Sequence, residues 1–349
     1  MKRKRILFVD RGAASYIERD IDLLRERFEV IRLSFLARDL SGLPGALFIQ
    51  FFRCLVHLNG SDVVFVHFAG WGSLLPLALA RLGSRPSVLF LHGADAVSLP
   101  DLNYGNFRKW PLSAVTRLSL KLASRIIVVD GSLISSTNPI GSNGPTKQGI
   151  RHFVPDLRTP VRVIPHGFDT KVWFPSEVQK EIDVVTVASN LGDQRIRRLK
   201  GVDKLLSVAA DCPELRFLVI GWDGATLSDL PSNVNVLPRV PNEELPGIFR
   251  RTRCYAQLSL SEGFGCALVE AMCCGCVPVV NKVGAMPGIL GTHGRSIEAS
   301  QDQELIEAIR WACDSPPERA FEVAHYAMTR FDLRERREAL FRSIGDLIK

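Results

Sequence analysis

The chain has 349 residues, of which 46% are hydrophobic and 23% are charged. This composition excludes a disordered or fibrous protein and is typical of a soluble globular one, and the length is sufficient for two hydrophobic cores. The formal net charge of +7 favours acidic partners. These include nucleotide phosphates, anionic lipid head groups and nucleic acid, which net charge alone does not separate.

The N-terminal residues Lys2–Arg5 are all cationic, but the apolar stretch that follows, Ile6–Val9, is too short for a signal peptide. No apolar run approaches the roughly 20 residues that a membrane-spanning helix needs. We therefore expect a cytoplasmic protein whose eight cysteines are small buried residues. Cys273 and Cys276 form a Cys-x-x-Cys, but a redox or zinc site would need a second pair or nearby histidines, so packing is the favoured interpretation.

The first half alternates strands and helices. A strand at Arg5–Asp10, apolar residues at helical spacing and a second strand at Val30–Leu33 predict a βαβ unit. A dinucleotide-binding unit would place Gly-x-Gly-x-x-Gly after the first strand, but the loop there holds only Gly12, so an NAD or FAD site loses its main support. Further predicted elements are strands at Asp62–Phe68 and Arg125–Asp130 and a helix at Leu74–Leu82.

An apolar stripe at helical spacing lies within residues Leu47–Val56. One interpretation is a helix packed on the sheet. The other is a surface that faces an anionic membrane together with Arg53 and the basic N-terminus. The first is the usual outcome for such a stripe, and the second stays open.

The second half restarts the alternation after a linker at Phe168–Ser176, where Pro and Gly cluster. Four cations fall within Arg195–Lys200, which we expect to be a loop between a strand and the next helix. Cations at such an edge of a sheet can neutralise a departing diphosphate. The other predicted strands are Ile182–Ala188, Arg216–Gly221, Cys254–Leu260 and Val277–Val280, and the helices are Val202–Ala210, Gln303–Cys313 and a final one through Leu347.

Two glutamates flank the turn that follows the strand Cys254–Leu260. Glu262 stands at the carboxyl end of that strand, and Glu270 lies about one turn into the helix predicted at Ala267–Met272. Ligands bind at this edge of open α/β sheets, because helix N-termini there expose N–H groups to anions. Carboxylates accept hydrogen bonds from hydroxyls. The pattern therefore predicts a ligand with a diphosphate between two polyols, which is a nucleotide sugar.

The string from Ser261 to Met272, followed by Gly275 and the strand Val277–Val280, closely resembles the Glu-x7-Glu signature of retaining glycosyltransferases of family 4. The resemblance implies an α/β GT-B fold, with two Rossmann-like domains facing each other across a cleft and a C-terminal helix that crosses back to the first domain. The corresponding ranges are residues 1–168, 177–330 and 331–349. On the family's pattern Glu262 binds the donor sugar, Glu270 binds the ribose, and the turn Gly263, Phe264 and Gly265 belongs to the donor site.

Further stretches share this resemblance. Pro86–Asp95 places His92 and Asp95 on a loop after a strand, which implies that His92 acts on the donor sugar or phosphate and that Asp95 and Gly12 contact sugar or acceptor. His67 is interpreted as a packed core histidine. The Lys-Gly of the family's phosphate-binding loop corresponds to Lys200. The spacing favours Arg195 as the second phosphate-binding cation, while Arg197 and Arg198 remain alternatives.

The reaction implied is metal-independent transfer of a sugar, with retention, from a nucleotide-diphosphate donor to a hydroxyl acceptor, with no cofactor. Asp20-Ile21-Asp22 has the Asp-x-Asp form of metal-dependent transferases, but it falls within the first helix, where a solvated face is favoured. A nucleotide-sugar epimerase and a non-catalytic nucleotide-sugar-binding protein are the alternatives. Incubation with donor alone distinguishes an epimerase from a transferase, because an epimerase would convert the donor completely to a new sugar. The acceptor we expect is a lipid-linked saccharide or another envelope glycan precursor at the inner face of an anionic membrane, and no nucleic-acid partner is expected.

Overall fold

In the computed structural model the chain divides into two compact units, Met1–His166 with Arg334–Lys349 and Gly167–Leu333. The structure describes residues 3–12, 14–36, 41–138, 144–224, 230–298 and 301–348. Lys2, part of the basic N-terminal cluster, lies outside these ranges. The two units are described one at a time.

The first unit is built on a sheet of six parallel strands in the order β2-β1-β3-β4-β5-β8. A short antiparallel pair, β6 and β7, lies apart from it. The strands are β1 (Arg5–Asp10), β2 (Glu29–Ser34), β3 (Val63–His67), β4 (Ser87–Leu91), β5 (Arg125–Val128), β6 (Ser136–Thr137), β7 (Lys147–Gln148) and β8 (Val161–Val163). The helices are α1 (Ser15–Arg25), α2 (Leu43–Leu58), α3 (Trp71–Leu82), α4 (Leu112–Leu122), α5 (Ile150–Phe153) and, at the end of the chain, α13 (Leu333–Gly345).

The second unit has its own sheet of six parallel strands, in the order β11-β10-β9-β12-β13-β14. The strands are β9 (Ile182–Val187), β10 (Phe217–Ile220), β11 (Val234–Leu237), β12 (Thr252–Gln257), β13 (Val277–Asn281) and β14 (Arg295–Ile297). The helices are α6 (Gln194–Lys200), α7 (Val202–Ala210), α8 (Leu245–Arg250), α9 (Cys266–Cys273), α10 (Met286–Leu290), α11 (Asp302–Cys313) and α12 (Pro317–Arg330).

The central strands are nearly continuous apolar runs, because helices cover both faces of a parallel sheet. Along β1, Ile6, Leu7 and Phe8 are fully buried. In the second unit α7 and α11 pack against β9, β12 and β13 through one core cluster that contains Leu205 and Ile309. Period-2 and period-3.6 apolar patterns therefore specify the alternation of strands and helices.

The cysteines of the second unit behave as core residues. Cys273, Cys274 and Cys276 are buried and free. Burial raises the pKa of the Cys274 thiol to about 12, so the thiol stays neutral and packs as a small apolar group. This arrangement agrees with the packing interpretation of the Cys-x-x-Cys.

A buried ion pair ties the last helix to the first. Asp20 accepts two hydrogen bonds of 2.6 Å from the guanidinium of Arg336, and both side chains are at most 1% exposed. The expectation that Asp20 lies on a solvated face is therefore wrong, whereas Asp22 is exposed. Position 20 faces inward because it lies on the same side of α1 as Ile17 and Leu24, which are buried.

Helix α2 leaves most of its apolar stripe uncovered. Phe48, Phe52 and Val56 are 67%, 51% and 73% exposed, while Cys54 and Leu58 on the opposite side are buried. The expectation that this stripe packs on the sheet is wrong for the exposed residues, because the helix packs through its other side. Within the described part of the chain, no helix has the length and apolarity to cross a membrane.

We predict that Arg336→Met lowers the free energy of unfolding by about 3–5 kcal/mol, because it leaves the carboxylate of Asp20 buried without a partner. The double variant Asp20→Leu with Arg336→Met should recover most of that loss. The matched control is Arg337→Met, whose side chain is 35% exposed and pairs with surface glutamates, and it should cost less than about 1 kcal/mol. Urea unfolding measures all three. Equal losses for Arg336→Met and Arg337→Met would contradict the assignment.

Candidate functional site

The carboxylate of Glu262 lies in the loop after β12 and accepts hydrogen bonds from three side chains. Its Oε2 accepts hydrogen bonds from Lys200 Nζ at 2.9 Å, Gln257 Nε2 at 2.8 Å and Ser259 Oγ at 3.3 Å. The Glu262 side chain is 15% exposed. Since all three donors use Oε2, the Oε1 atom keeps its capacity to accept a bond from a ligand hydroxyl.

Lys200 reaches Glu262 from the end of a helix. The expectation that Arg195–Lys200 forms a loop is wrong, because these residues lie in α6. The side chain of Asp193 caps the helix by accepting a hydrogen bond from the Arg195 amide at 2.8 Å. Gly201 ends it with a left-handed φ of 68°. An aspartate at the N-cap and a glycine after the last residue are the signals that could have predicted this short helix.

Two glycines allow neighbouring loops to approach the Glu262 loop closely. A Cβ on Gly201 would lie 2.0 Å from the carbonyl oxygen of Leu258, and a Cβ on Gly284 would lie 2.1 Å from the carbonyl oxygen of Glu262. The Leu260 amide donates to the Leu199 carbonyl at 2.8 Å, which binds the end of α6 to this loop. The position of Lys200 beside Glu262 is therefore fixed by the backbone.

The structure separates Lys200 from the other cations of α6. Arg195 is exposed and pairs with Asp193 at 2.8 Å. Arg197 pairs with Asp203 at 3.1 Å and lies 5.2 Å from the ring centroid of Trp222. Arg198 is exposed. Of the four cations, Lys200 is the one that the structure brings to Glu262.

Glu270 is 3% exposed and lies in α9, which begins after Gly265 with its φ of 91°. The ring of Phe264 is also buried and packs edge-on against Phe331, with centroids 5.6 Å apart. Gly263 and Gly265 therefore contribute only backbone atoms to this turn, while the ring of Phe264 belongs to the core.

Sequence reasoning missed the polar side chains of β12 and the residues after it. Tyr255, Gln257 and Ser259 follow at a spacing of two, so the alternation of a strand places them on one face. Burial raises the pKa of Tyr255 well above its usual range, and the carboxylates of Glu262 and Glu270 add to the shift. The Tyr255 hydroxyl is therefore a further polar group close to both glutamates.

In the first unit His92 follows β4 and is held by two contacts. Its Nε2 lies 2.9 Å from Nδ1 of His67, and its amide donates to the carboxylate of Asp95 at 2.9 Å. Asp95 also accepts from the Ala69 amide at 3.0 Å, and burial raises its pKa to about 6. Because both carboxylate oxygens bind backbone amides, Asp95 joins the loops after β3 and β4 and positions His92.

The surroundings of the histidines at this edge favour their neutral form. Burial lowers the pKa of His67, His92 and His166 well below their usual value, and the guanidinium of Arg336 contributes in each case. His67 is a core residue, 1% exposed, as interpreted from the sequence. Its Nε2 lies 3.9 Å from a carboxylate oxygen of Asp20, which favours a proton on that nitrogen. His67 Nδ1 then accepts from His92, and Nδ1 of His92 is left as an acceptor.

Gly12 follows β1 with a φ of 113°, which favours glycine, and its amide donates to Asp10 at 2.9 Å. With Arg11, Ala14, Ile17 and Phe68 it lines a cavity of about 360 Å³. Across the described ranges, no three His, Cys, Asp or Glu side chains are grouped so that they could hold a metal ion.

Comparison with known proteins identifies one family model and several curated relatives. Residues 193–327 match the family model described as "Glycosyl transferases group 1". A phosphatidylinositol N-acetylglucosaminyltransferase gpi3 subunit from Schizosaccharomyces pombe is 29% identical over 148 residues, which cover 39% of this chain and 31% of that protein. A D-inositol 3-phosphate glycosyltransferase from Mycobacterium tuberculosis is 33% identical over 140 residues, which cover 35% of this chain and 29% of that protein. These alignments span about a third of the length of the curated relatives.

Solved structures match the whole chain. A sucrose-phosphate synthase from Thermosynechococcus elongatus has a TM-score of 0.75 at 15% identity and covers 99% of both chains. Anabaena HepE in complex with UDP-glucose has a TM-score of 0.71 at 18% identity and covers 98% of this chain and 100% of that one. At these identities the likeness concerns the fold, and it confirms the GT-B class of two Rossmann-like domains.

We predict that Gly201→Ala lowers the free energy of unfolding by about 2 kcal/mol or more, since a left-handed non-glycine residue costs roughly 1–2 kcal/mol and its Cβ would overlap the Leu258 carbonyl. The matched control is Gly247→Ala in α8, where an added Cβ meets nothing within 4 Å and should stabilise by up to about 1 kcal/mol. Thermal unfolding measures both. Similar stabilities for the two variants would show that the turn at Gly201 is not constrained.

Proposed function

Because residues 193–327 match the model of the group 1 glycosyltransferases, we propose that this chain is a member of that family and transfers a sugar from a nucleotide-diphosphate donor to a hydroxyl acceptor with retention. The observation that carries the proposal is the Lys200–Glu262 pair, with 2.9 Å between Nζ and Oε2, at the carboxyl end of β12. A cation and a hydroxyl-accepting carboxylate side by side match the diphosphate and the sugar of such a donor. HepE, a structural neighbour, is described with UDP-glucose, which favours UDP as the nucleotide.

Lys200 would stabilise the leaving diphosphate. Negative charge grows on that group as the bond to the sugar breaks, and a fixed donor aimed at developing charge contributes roughly 3 to 4 kcal/mol. Before a donor binds, Lys200 and Glu262 offset each other's charge. The diphosphate would compete for Lys200, and Glu262 would then accept hydrogen bonds from the sugar hydroxyls.

Glu270 would bind the ribose. It is buried behind the turn Gly263–Gly265, and a buried carboxylate discriminates for hydroxyl donors and against phosphate. In the first unit Nδ1 of His92 would accept a hydrogen bond from the sugar, held in place by Asp95 and His67. Gly12 would leave room beside its cavity for sugar or acceptor. No cofactor or metal enters the proposal.

The acceptor we propose is a lipid-linked saccharide or another envelope glycan precursor, reached at an anionic membrane through α2. The names of two relatives specify inositol-containing acceptors, one of them a phospholipid. Exposed Phe48 and Val56 supply apolar area on α2. Lys4 and Arg5 lie near the end of that helix, since Arg5 Nη1 donates to the Gly60 carbonyl at 3.4 Å. Each cation near an anionic surface contributes roughly 1 kcal/mol.

The first test titrates glutamate variants with UDP and measures transfer from UDP-glucose. Glu270→Ala should weaken UDP binding by about tenfold or more, because a ribose hydroxyl loses a charged acceptor. Glu262→Ala should change UDP binding less than about threefold while lowering transfer by roughly 100-fold. Glu298→Ala, at an exposed glutamate paired with Lys282, is the control. Equal loss of UDP affinity in Glu262→Ala and Glu270→Ala would refute the division of roles.

The second test concerns the metal. We predict that transfer continues in EDTA, because Lys200 and the helix-end N–H groups supply the positive charge that a metal would supply elsewhere. Rates before and after chelation, and after adding magnesium or manganese, measure this. Loss of transfer in EDTA with recovery on adding either metal would contradict metal independence.

The third test is co-sedimentation with vesicles that contain anionic lipid, at low and high salt. The wild-type chain should bind at low salt, and the double variant Phe48→Ser with Phe52→Ser should bind at least about tenfold more weakly, because it removes most of the inserted aromatic area. Leu237→Ser, an exposed apolar residue of the second unit, is the control. Failure of the wild-type chain to bind at low salt would favour a water-soluble acceptor.

A further inference from the structure

A second cavity, of about 470 Å³, lies within the second unit at the end of the sheet opposite to Glu262. Its walls include Arg253 near the start of β12 and Val277 at the start of β13, whereas Glu262 follows the other end of β12. Helix α9 joins the two places, because it begins after Gly265 and is followed by Cys274 in the cavity wall. The volume falls within the range of roughly 300–1,000 Å³ that small-molecule sites occupy.

The wall of this cavity is mainly apolar. Ala312 and Cys313 come from the end of α11, and Ala320 and Phe321 come from the first turns of α12. Phe321 is 44% exposed, so its ring offers uncovered area at the rim. A neutral thiol at Cys274 adds to the apolar surface. Such a lining favours a hydrocarbon chain or ring.

One cation, Lys180, lies in the same cavity. Lys180 Nζ donates to the carbonyl oxygens of Thr252 at 2.9 Å and Gly275 at 3.4 Å, which engage two of its three N–H groups. Among the described residues no carboxylate forms an ion pair with Lys180 within 4.0 Å. Burial lowers the pKa of Lys180, and the guanidinium of Arg253 contributes in the same direction. A partly buried cation of this kind favours a bound anion.

The charges around the cavity correspond to one net positive charge. The charged side chains in its wall are Lys180, Arg253 and the exposed Glu177. Arg253 shares the carboxylate of Asp183 with Arg216, at 3.4 Å and 3.3 Å respectively. The Oγ of Ser176 is buried in the wall and has no hydrogen-bond partner among the described residues. One net positive charge and one unused hydroxyl match a monoanionic carboxylate better than a dianionic phosphate.

We propose that this cavity binds an amphiphilic monocarboxylate, with the carboxylate on Lys180 and Ser176 and the apolar body against Val277, Ala320 and Phe321. The site is separate from the Glu262 group and does not depend on the proposed transfer reaction. Decanoate, decanol and butyrate are suitable probes, because decanol keeps the chain without the charge and butyrate keeps the charge without most of the chain.

Calorimetric titration of the full chain, below the concentration at which decanoate aggregates, tests the proposal. Decanoate should bind with one molecule per chain, and decanol and butyrate should each bind at least about tenfold more weakly. Absence of saturable decanoate binding, or decanol binding as tightly as decanoate, would overturn the proposal.

Variants locate the site. Lys180→Gln should weaken the binding of decanoate by about tenfold and change the affinity for decanol by less than about threefold. The control is Lys282→Gln, at an exposed lysine paired with Glu298, and it should change the binding of neither probe. Ala320→Phe should abolish binding of both probes because it fills the cavity. Circular dichroism verifies folding, and Ser176→Ala replaces Lys180→Gln if that variant does not fold. Unchanged decanoate binding in a folded cavity variant would overturn the assignment.

Discussion

Lys200 and Glu262 are held in contact at the carboxyl end of β12, and much of the local structure of the second unit maintains that contact. Asp193 starts α6, Gly201 ends it, and the close approach of Gly201 to Leu258 brings Lys200 over the end of the strand. Gly284 brings the next loop against the Glu262 backbone. The fold therefore positions the two opposite charges next to each other. In the proposed function, this would reduce the ordering cost of binding a diphosphate beside a sugar.

The first unit uses buried charge differently. The Asp20–Arg336 pair joins α1 to α13, and the same guanidinium lies 5.1 Å from the ring centroid of Phe90. Burial lowers the pKa of three nearby histidines, and this guanidinium adds to the shift. The neutral form of His92 is consequently favoured, and its backbone is held by Asp95. In the proposed function, a neutral imidazole at position 92 would recognise and orient a sugar hydroxyl rather than store a proton.

The sequence predicts the two α/β halves, because these depend on short-range periodicity. Its assignment of Glu262, Glu270 and Lys200 to a donor site depends on a motif and stays a prediction. The sequence does not predict that Asp20 is buried, since its partner Arg336 lies 316 residues away and no local pattern reveals the contact. The exposure of α2 depends on which side of the helix packs on the sheet. Apolar residues lie on more than one side of α2, so periodicity does not predict which side is buried. Arg195–Lys200 is helical because Asp193 and Gly201 cap the segment, and an interpretation based only on its charges does not consider these caps.

The structure of the chain with UDP bound tests the central claim most directly, because it records the distance between Lys200 Nζ and each candidate anion. We predict that Nζ leaves Oε2 of Glu262, from which it is 2.9 Å away without ligand, and contacts a diphosphate oxygen, while the Glu270 carboxylate lies within hydrogen-bond distance of a ribose hydroxyl. UDP bound away from these residues, or Lys200 still paired with Glu262 beside an uncontacted diphosphate, would contradict the account.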